Sequence, residues 1–220
     1  MSLKINLSKF DLSNISGLML DIDDTVYSYS KPNNFAISEC FKQLQNENLI
    51  QSMQQSDFKS LYVSKRKLVT KKLRPQGVCR SRLFAFDNLF RELSVSQPHL
   101  MAKKYEKIYW NSFLKVMEVS QEMRTFIKKA KKNGLTICAV TDMQASFQID
   151  KLRKLGLSKY FDFLATSEEA GAEKPDHKIF KLALEKMRLG KNQVAMIGDN
   201  KLKDIQGAES FGIKAFHFKA

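Results

Sequence analysis

The chain reads as an α/β protein built on a parallel sheet, and three observations predict it. Short apolar runs at 17–20, 135–140, 160–165, 194–197 and 213–218 lack polar alternation, the pattern of strands buried on both faces. From residue 120 onward, segments with helical spacing separate these runs, and strands alternating with helices imply parallel pairing through right-handed crossovers. Three runs end in polar residues: Asp21-Ile22-Asp23-Asp24, Thr141-Asp142, and Gly198-Asp199. Open sheets of this kind bind ligands just beyond the carboxyl ends of their strands.

Taken in order, Gly17-Leu18-Met19-Leu20 is a core strand running straight into acids. Residues 28–34, with Pro32 and two asparagines, read as a polar link. No strand pattern stands out from 35 to about 117. Phe35, Ile37, Phe41, Leu44 and Leu49 form an irregular helical stripe, 58–73 forms another, and Pro75-Gln76-Gly77 is a break. Residues 83–93 are apolar at helical spacing, and Pro98 suits the first position of a long helix lined by Tyr105, Ile108, Tyr109, Phe113 and Met117. Trp110 and the phenylalanines here read as packing. Ser120 can cap a helix that ends at Asn133-Gly134. Further helices are predicted at 145–155, stopped by Gly156, and at 176–187 and 205–211. The helical block therefore interrupts the sheet pattern directly after the first strand.

The length of 220 residues accommodates one domain with an insertion or two small domains, and 43% apolar content supports a core. A net charge of +14 favours anionic partners: phosphorylated metabolites, nucleic acid or acidic lipid. Cys40, Cys79 and Cys138 are odd in number and form no CxxC pair, which fits a reducing compartment; Cys138 lies in an apolar run and reads as inert core. No apolar stretch reaches the length of a membrane span, and residues 1–16 lack the continuous hydrophobic region of a secretion signal. A cytoplasmic protein with no membrane partner is expected.

Asp21 and Asp23 share a parity, so if the strand continues, both carboxylates point the same way. Such a pair attracts a hard cation, and different surroundings can push its two pKa values apart. Bland readings exist for every candidate. The first acids could form a polar turn, Thr141 could cap a helix, Lys174 could be solvated and Asp199 could stabilise a turn. Their joint occurrence in chain order favours a site.

On these residues the chain resembles the haloacid dehalogenase superfamily of hydrolases. Asp21-Ile22-Asp23-Asp24-Thr25-Val26-Tyr27 is similar to the first motif and Ala139-Val140-Thr141-Asp142 to the second. Glu173-Lys174-Pro175 is similar to the third and the segment from Gly198 to Ala208 to the fourth. The resemblance covers 17–27 and roughly 120–218. It implies a Rossmann-like parallel sheet core at 1–30 and 116–220 with an inserted α-helical cap at 31–115. It also implies a phosphatase that hydrolyses a small phosphorylated metabolite, a nucleotide or a sugar phosphate, through an aspartyl-phosphate. Asp21 would be the nucleophile and Asp23 the general acid/base. Thr141, Asp142 and Lys174 would bind the phosphoryl group, Thr141 and Lys174 stabilising its transfer. A Mg2+ ion would be held by Asp21, Asp199 and the main-chain carbonyl of Asp23, with Asp204 in its outer shell.

The chain departs from the family pattern at Asp142, where many relatives carry asparagine, and at Asp24 and Tyr27, which replace a commoner glycine and leucine. Tyr27 either touches substrate or packs at the cap junction. The dehalogenases and phosphonatases of the superfamily lack an acid at the position of Asp23, so phosphate-ester hydrolysis is favoured, with a phosphomutase as alternative. The run from Asp21 into Tyr27 and Tyr29 resembles pyrimidine 5'-nucleotidase-like members. Residues 56–115 hold fourteen Lys and Arg against four Asp and Glu. This basic cap is a solvated face, or it favours a substrate charged beyond its reacting phosphate, with Arg80 and Arg82 expected to face the site. A non-enzymatic nucleic-acid-binding protein is the remaining alternative. The intact motifs oppose it, and nucleic acid is not expected as a partner.

Overall fold

A computed structural model describes residues 5–220; Met1 to Lys4, part of the segment read as lacking a secretion signal, lie outside the described residues. The sheet has five strands, all parallel, in the order β3-β2-β1-β4-β5. They are β1 Gly17–Leu20, β2 Thr136–Thr141, β3 Phe163–Thr166, β4 Val194–Gly198 and β5 Lys214–His217. The expected α/β class with a parallel sheet is therefore borne out. β1 is central and buried along its whole length, with Gly17 in register with both Thr136 and Val194. The chain runs outward from β1 to β3, then returns to the other side of β1 as β4. That reversal creates a crevice at the carboxyl end of β1.

The helices form two groups. α1 Ser30–Asn46, α2 Gln55–Leu73, α3 Arg82–Glu92 and α4 Pro98–Lys115 belong to one compact unit, made of Ser30–Arg74 and Val78–Met117. α5 Gln121–Lys132, α6 Ala145–Lys154, α7 Ser167–Ala170, α8 His177–Met187 and α9 Gly207–Ser210 belong to the unit that holds the sheet. The helical unit is thus an insertion between β1 and α5, as the class predicted. Its interior is aromatic: Tyr62, Phe86, Phe90, Tyr105, Tyr109 and Phe113 are fully buried, and Trp110 meets Tyr109 edge-on. These rings pack one another, as the sequence suggested.

Several boundaries differ from expectation. The link predicted at 28–34 is mostly the first turn of α1, because a proline near a helix start forfeits no intrahelical bond; Pro32 is buried there. The third strand begins at Phe163, since residues 158–160 form a 3-10 turn. The helix predicted at 205–211 is a π-helical turn, Lys201–Gln206, followed by α9. Arg82 packs against rings of its own helical unit. It is buried, its guanidinium lies 5.3 Å from the Tyr109 ring centre and 5.4 Å from that of Trp110, and Nη1 donates to the Arg80 carbonyl at 2.8 Å. Among the described residues no helix is long and apolar enough to cross a membrane.

One face of the sheet is covered by α8. Ile179, Phe180 and Ala183 pack with Met19, Cys138, Val140 and Met196 into a buried apolar layer. Burial pushes the Cys138 thiol up to about 12, consistent with inert core. Phe180 is fully buried on this layer. Phe180→Ala should therefore cost about 3–5 kcal/mol, read as a lower urea midpoint with an unchanged denaturant slope.

Candidate active site

β1 stops at Leu20, and the next residues build the site. The Asp21 N–H still bonds to the Ile197 carbonyl at 3.0 Å, so the nucleophile candidate is anchored to the neighbouring strand. The chain then turns, with Val26 N–H closing onto the Ile22 carbonyl at 2.9 Å. Asp24 sits at φ +63°, in the left-handed region. Glycine adopts that conformation freely, and aspartate is among the few other residues that tolerate it. A backbone need thus accounts for the glycine common in relatives at this position.

Because of this turn, the two acids do not point the same way as strand parity predicted. Asp21 Oδ1 accepts from Lys174 Nζ at 2.6 Å and Oδ2 from Thr25 Oγ1 at 3.2 Å. Asp23 turns toward α6. Its Oδ1 accepts from Lys151 Nζ at 2.6 Å and from the Tyr27 hydroxyl, and its Oδ2 from Gln148 Nε2 at 3.2 Å. Tyr27 is buried, and its hydroxyl donates to Asp23 Oδ1.

Lys174 is the hub of the other sequence candidates. It is 3% exposed, and Nζ also donates to the Val140 carbonyl at 2.9 Å. Asp204 Oδ1 also lies 2.6 Å from Nζ, a buried ion pair. Asp142 is engaged differently from the expected phosphate contact. Its carboxylate accepts from the Lys174 N–H at 2.8 Å and from Lys203 Nζ at 2.6 Å, and so fixes the loop that delivers Lys174. The Thr141 hydroxyl accepts from Gln148 Nε2 at 2.7 Å, which leaves its own proton to donate. Asp199 follows β4, and its carbonyl accepts from His217 Nε2 at 2.8 Å.

Gly198 makes the fourth motif possible. A Cβ there would lie 2.4 Å from Asp204 Cγ, so only glycine lets the buried carboxylate pack against the strand end. Asp204 is held by the π-helical turn and accepts from the Asn200 N–H at 2.9 Å.

Asp21, Asp199 and Asp204 can each place a carboxylate oxygen within 4.8 Å of the others. Hard oxygen donors, mostly buried and outnumbering the one lysine among them, fit a hard divalent cation. Burial raises the Asp21 pKa well above the ordinary range, with Asp204 adding to it against the pull of Lys174. Burial, with Asp204 and Asp24 beside it, raises Asp199 to about 6. Burial opposes the charge on Lys174, but Asp204, Asp21 and Asp142 outweigh it and raise its pKa. Burial also acts to raise Asp23, yet Lys151, Tyr27 and Gln148 together hold it below the usual carboxylate range. Asp23 therefore rests ionised, as a base does, and must gain a proton in the substrate complex to serve as an acid.

The structure brings all seven sequence candidates to the carboxyl end of the sheet. Lys151 and Gln148, which reach Asp23 and Thr141 from α6, were not among them. Their signal was faint: two polar residues three apart on a helix, a spacing that faces both the same way.

A family model described as haloacid dehalogenase-like hydrolase matches residues 18–218. The chain belongs to this family. It is 26% identical over 204 residues to the ribulose-1,5-bisphosphate 5-phosphatase of Halopiger xanaduensis, covering 92% of this chain and 84% of that protein. It is 28% identical over 206 residues to the glyceraldehyde 3-phosphate phosphatase of Pyrococcus furiosus, covering 93% and 81%. Among solved structures, a 2-haloacid dehalogenase from Pseudomonas syringae pv. Tomato DC3000 aligns with a TM-score of 0.75 at 18% identity, covering 91% and 85%. A phosphatase of the family from Thermococcus onnurineus aligns at 0.64 and 20% identity, with the same coverage. At these identities the two structures establish the shared fold.

Lys174 balances two buried carboxylates, so Lys174→Met should cost about 3–5 kcal/mol in metal-free buffer near neutral pH. The loss should be smaller at an acidic pH than near neutrality, because Asp21, whose pKa burial raises, takes up a proton as pH falls. Equal losses at both pH values in urea titrations would show that charge balance is not what Lys174 provides.

Proposed function

We propose that this hydrolase is a magnesium-dependent phosphatase acting on a small phosphorylated metabolite through an aspartyl-phosphate on Asp21. The carrying observation is the Asp21 carboxylate at the end of the central strand, gripped by Lys174 and faced by Asp199 and Asp204. Phosphoryl transfer asks chiefly for an in-line nucleophile and charge neutralisation. Asp21 supplies the nucleophile. Lys174 and the Thr141 hydroxyl hold the transferring oxygens, and any part Asp142 has in this falls to its main chain. Asp23 gives a proton to the leaving oxygen and takes one from the attacking water. A magnesium ion held by Asp21, Asp199 and the Asp23 carbonyl, with Asp204 behind, would neutralise charge on the phosphoryl group.

The phosphatase relatives named above act on ribulose-1,5-bisphosphate and glyceraldehyde 3-phosphate, which favours a sugar phosphate here. A nucleoside monophosphate, suggested by the first motif, is second. The helical unit, proposed as the cap, adds a charge argument. A groove of about 520 Å3 in the helical unit has Arg66, Lys67, Lys71, Arg74 and Arg80 in its lining, a basic set that suits a substrate carrying a second anionic group.

Assay of released phosphate across sugar phosphates and nucleotides tests the reaction. Magnesium should be required, and Asp21→Asn should lower turnover by several orders of magnitude, about what loss of a nucleophile costs. Turnover by the chelated protein, or isomerised product without phosphate release, would overturn the reading, the latter in favour of a mutase.

Metal binding should show a pH signature. In the folded chain Asp199 and Asp21 hold protons more tightly than in the unfolded chain. Their contribution to stability is full below about pH 4 and is lost as pH rises through about 6 and beyond. Magnesium replaces those protons. Its rise in Tm should be larger near pH 7.5 than near pH 5, and the reverse order in thermal melts would contradict the proposed ligand set.

A further inference from the structure

We propose that Lys151 is a positioning residue that acts through Asp23, fixing which oxygen of that carboxylate exchanges protons with the reacting groups. The inference rests on the phosphatase reading. Lys151 has 0% of its surface exposed, whereas the Asp23 side chain keeps 28%. A lysine buried this deeply needs a partner, and its ammonium lies 2.6 Å from Asp23 Oδ1. Met143 Sδ lies 3.6 Å from Nζ, and the Tyr27 ring centre 5.8 Å from it.

The donors divide unequally between the two oxygens of Asp23. Oδ1 takes both the Lys151 ammonium and the Tyr27 hydroxyl. Among the described residues Oδ2 takes the neutral Gln148 amide, at the longer distance of 3.2 Å. Oδ1 is thus the anchored oxygen and Oδ2 the working one. The same amide nitrogen of Gln148 donates to Thr141 Oγ1 at 2.7 Å, so one helix face aligns the acid/base with the hydroxyl that holds the phosphoryl group.

In the first step an Asp21 oxygen attacks phosphorus, and the P–O ester bond breaks with its electron pair going to the leaving oxygen. That oxygen takes a proton from Asp23 Oδ2, one that the carboxylate has gained from the phosphate monoester's own hydroxyl or from solvent as the substrate binds. In the second step water attacks phosphorus and gives a proton to Oδ2, while the bond to Asp21 breaks and its pair returns to that carboxylate. Asp23 ends as it began. Both steps need Oδ2 aimed at the same place, and a misplacement of about 1 Å can cost roughly 100-fold.

A double-mutant cycle in kcat separates this role from simple support of the fold. The variants are Asp23→Asn, Lys151→Met and the two combined, assayed with magnesium on the best substrate of the phosphate-release screen. Lys151→Met should lower kcat about 10- to 100-fold with KM little changed, and should add nothing to Asp23→Asn. Penalties that multiply, or a loss confined to KM, would overturn the proposal. If Lys151→Met alone melts below the assay temperature, Asp23→Asn is compared with the double variant, which leaves no buried charge without a partner. Equal kcat in those two supports the role, and a lower value in the double variant removes it. A wild-type protein that releases no phosphate from any substrate overturns both this inference and the phosphatase reading. Wild-type turnover lost in Asp21→Asn, together with an additive cycle, overturns only the role of Lys151.

Discussion

The site depends on one buried cation. Lys174 sits where three loops converge, within 2.6 Å of Asp21 Oδ1 and of Asp204 Oδ1. Without it the carboxyl end of the central strand would gather like charges out of water, an arrangement that either neutralises itself or does not fold. The protein invests structure in delivering it: Asp142 binds the lysine's own N–H, and Lys203 in turn neutralises Asp142 and lies 3.2 Å from Glu173. Beyond Lys174, charges alternate in sign from Asp142 to Lys203 to Glu173.

The same arithmetic leaves the inner group with excess negative charge. One ammonium faces Asp21, Asp204 and the neighbouring Asp199, and the raised pKa values of Asp21 and Asp199 express the imbalance. A divalent cation relieves it, and so does a proton. The second acid of the first motif is kept out of this competition, because Lys151, Tyr27 and Gln148 hold it on the α6 side. Two carboxylates two positions apart thereby have pKa values shifted in opposite directions.

Much of this was legible in the sequence, for a local reason. A buried strand ending in an acid states its chemistry within a few residues, so Asp21, Thr141 and Asp199 could be placed at one edge of the sheet before any coordinates. What was not legible depends on partners distant in sequence. Lys151 looks like any helix lysine until its face is seen to be buried, and Asp23 is 128 positions away from it. Arg82 looked like a substrate contact because it follows a loop, yet it is sandwiched against Tyr109 and Trp110. The shared direction of Asp21 and Asp23 failed because strand geometry ends one residue too early, at Leu20, and Asp24 takes a left-handed turn. Pro32 misled for the opposite reason: a residue that breaks helices in their middle is harmless in their first turn.

The span of sequence that the site bridges also sets when it can come into being. Lys174 and Asp21 are 153 positions apart, and the whole helical insertion lies between them. Closing so long a loop carries an entropic cost that is repaid only when β1, β2 and β4 stand side by side. Until then the acids of the first and fourth motifs repel without their counter-charge, so nothing local favours their meeting. The reactive centre therefore assembles with the last long-range contacts of the sheet. A fragment ending before the third motif carries Asp21 without the lysine that balances it.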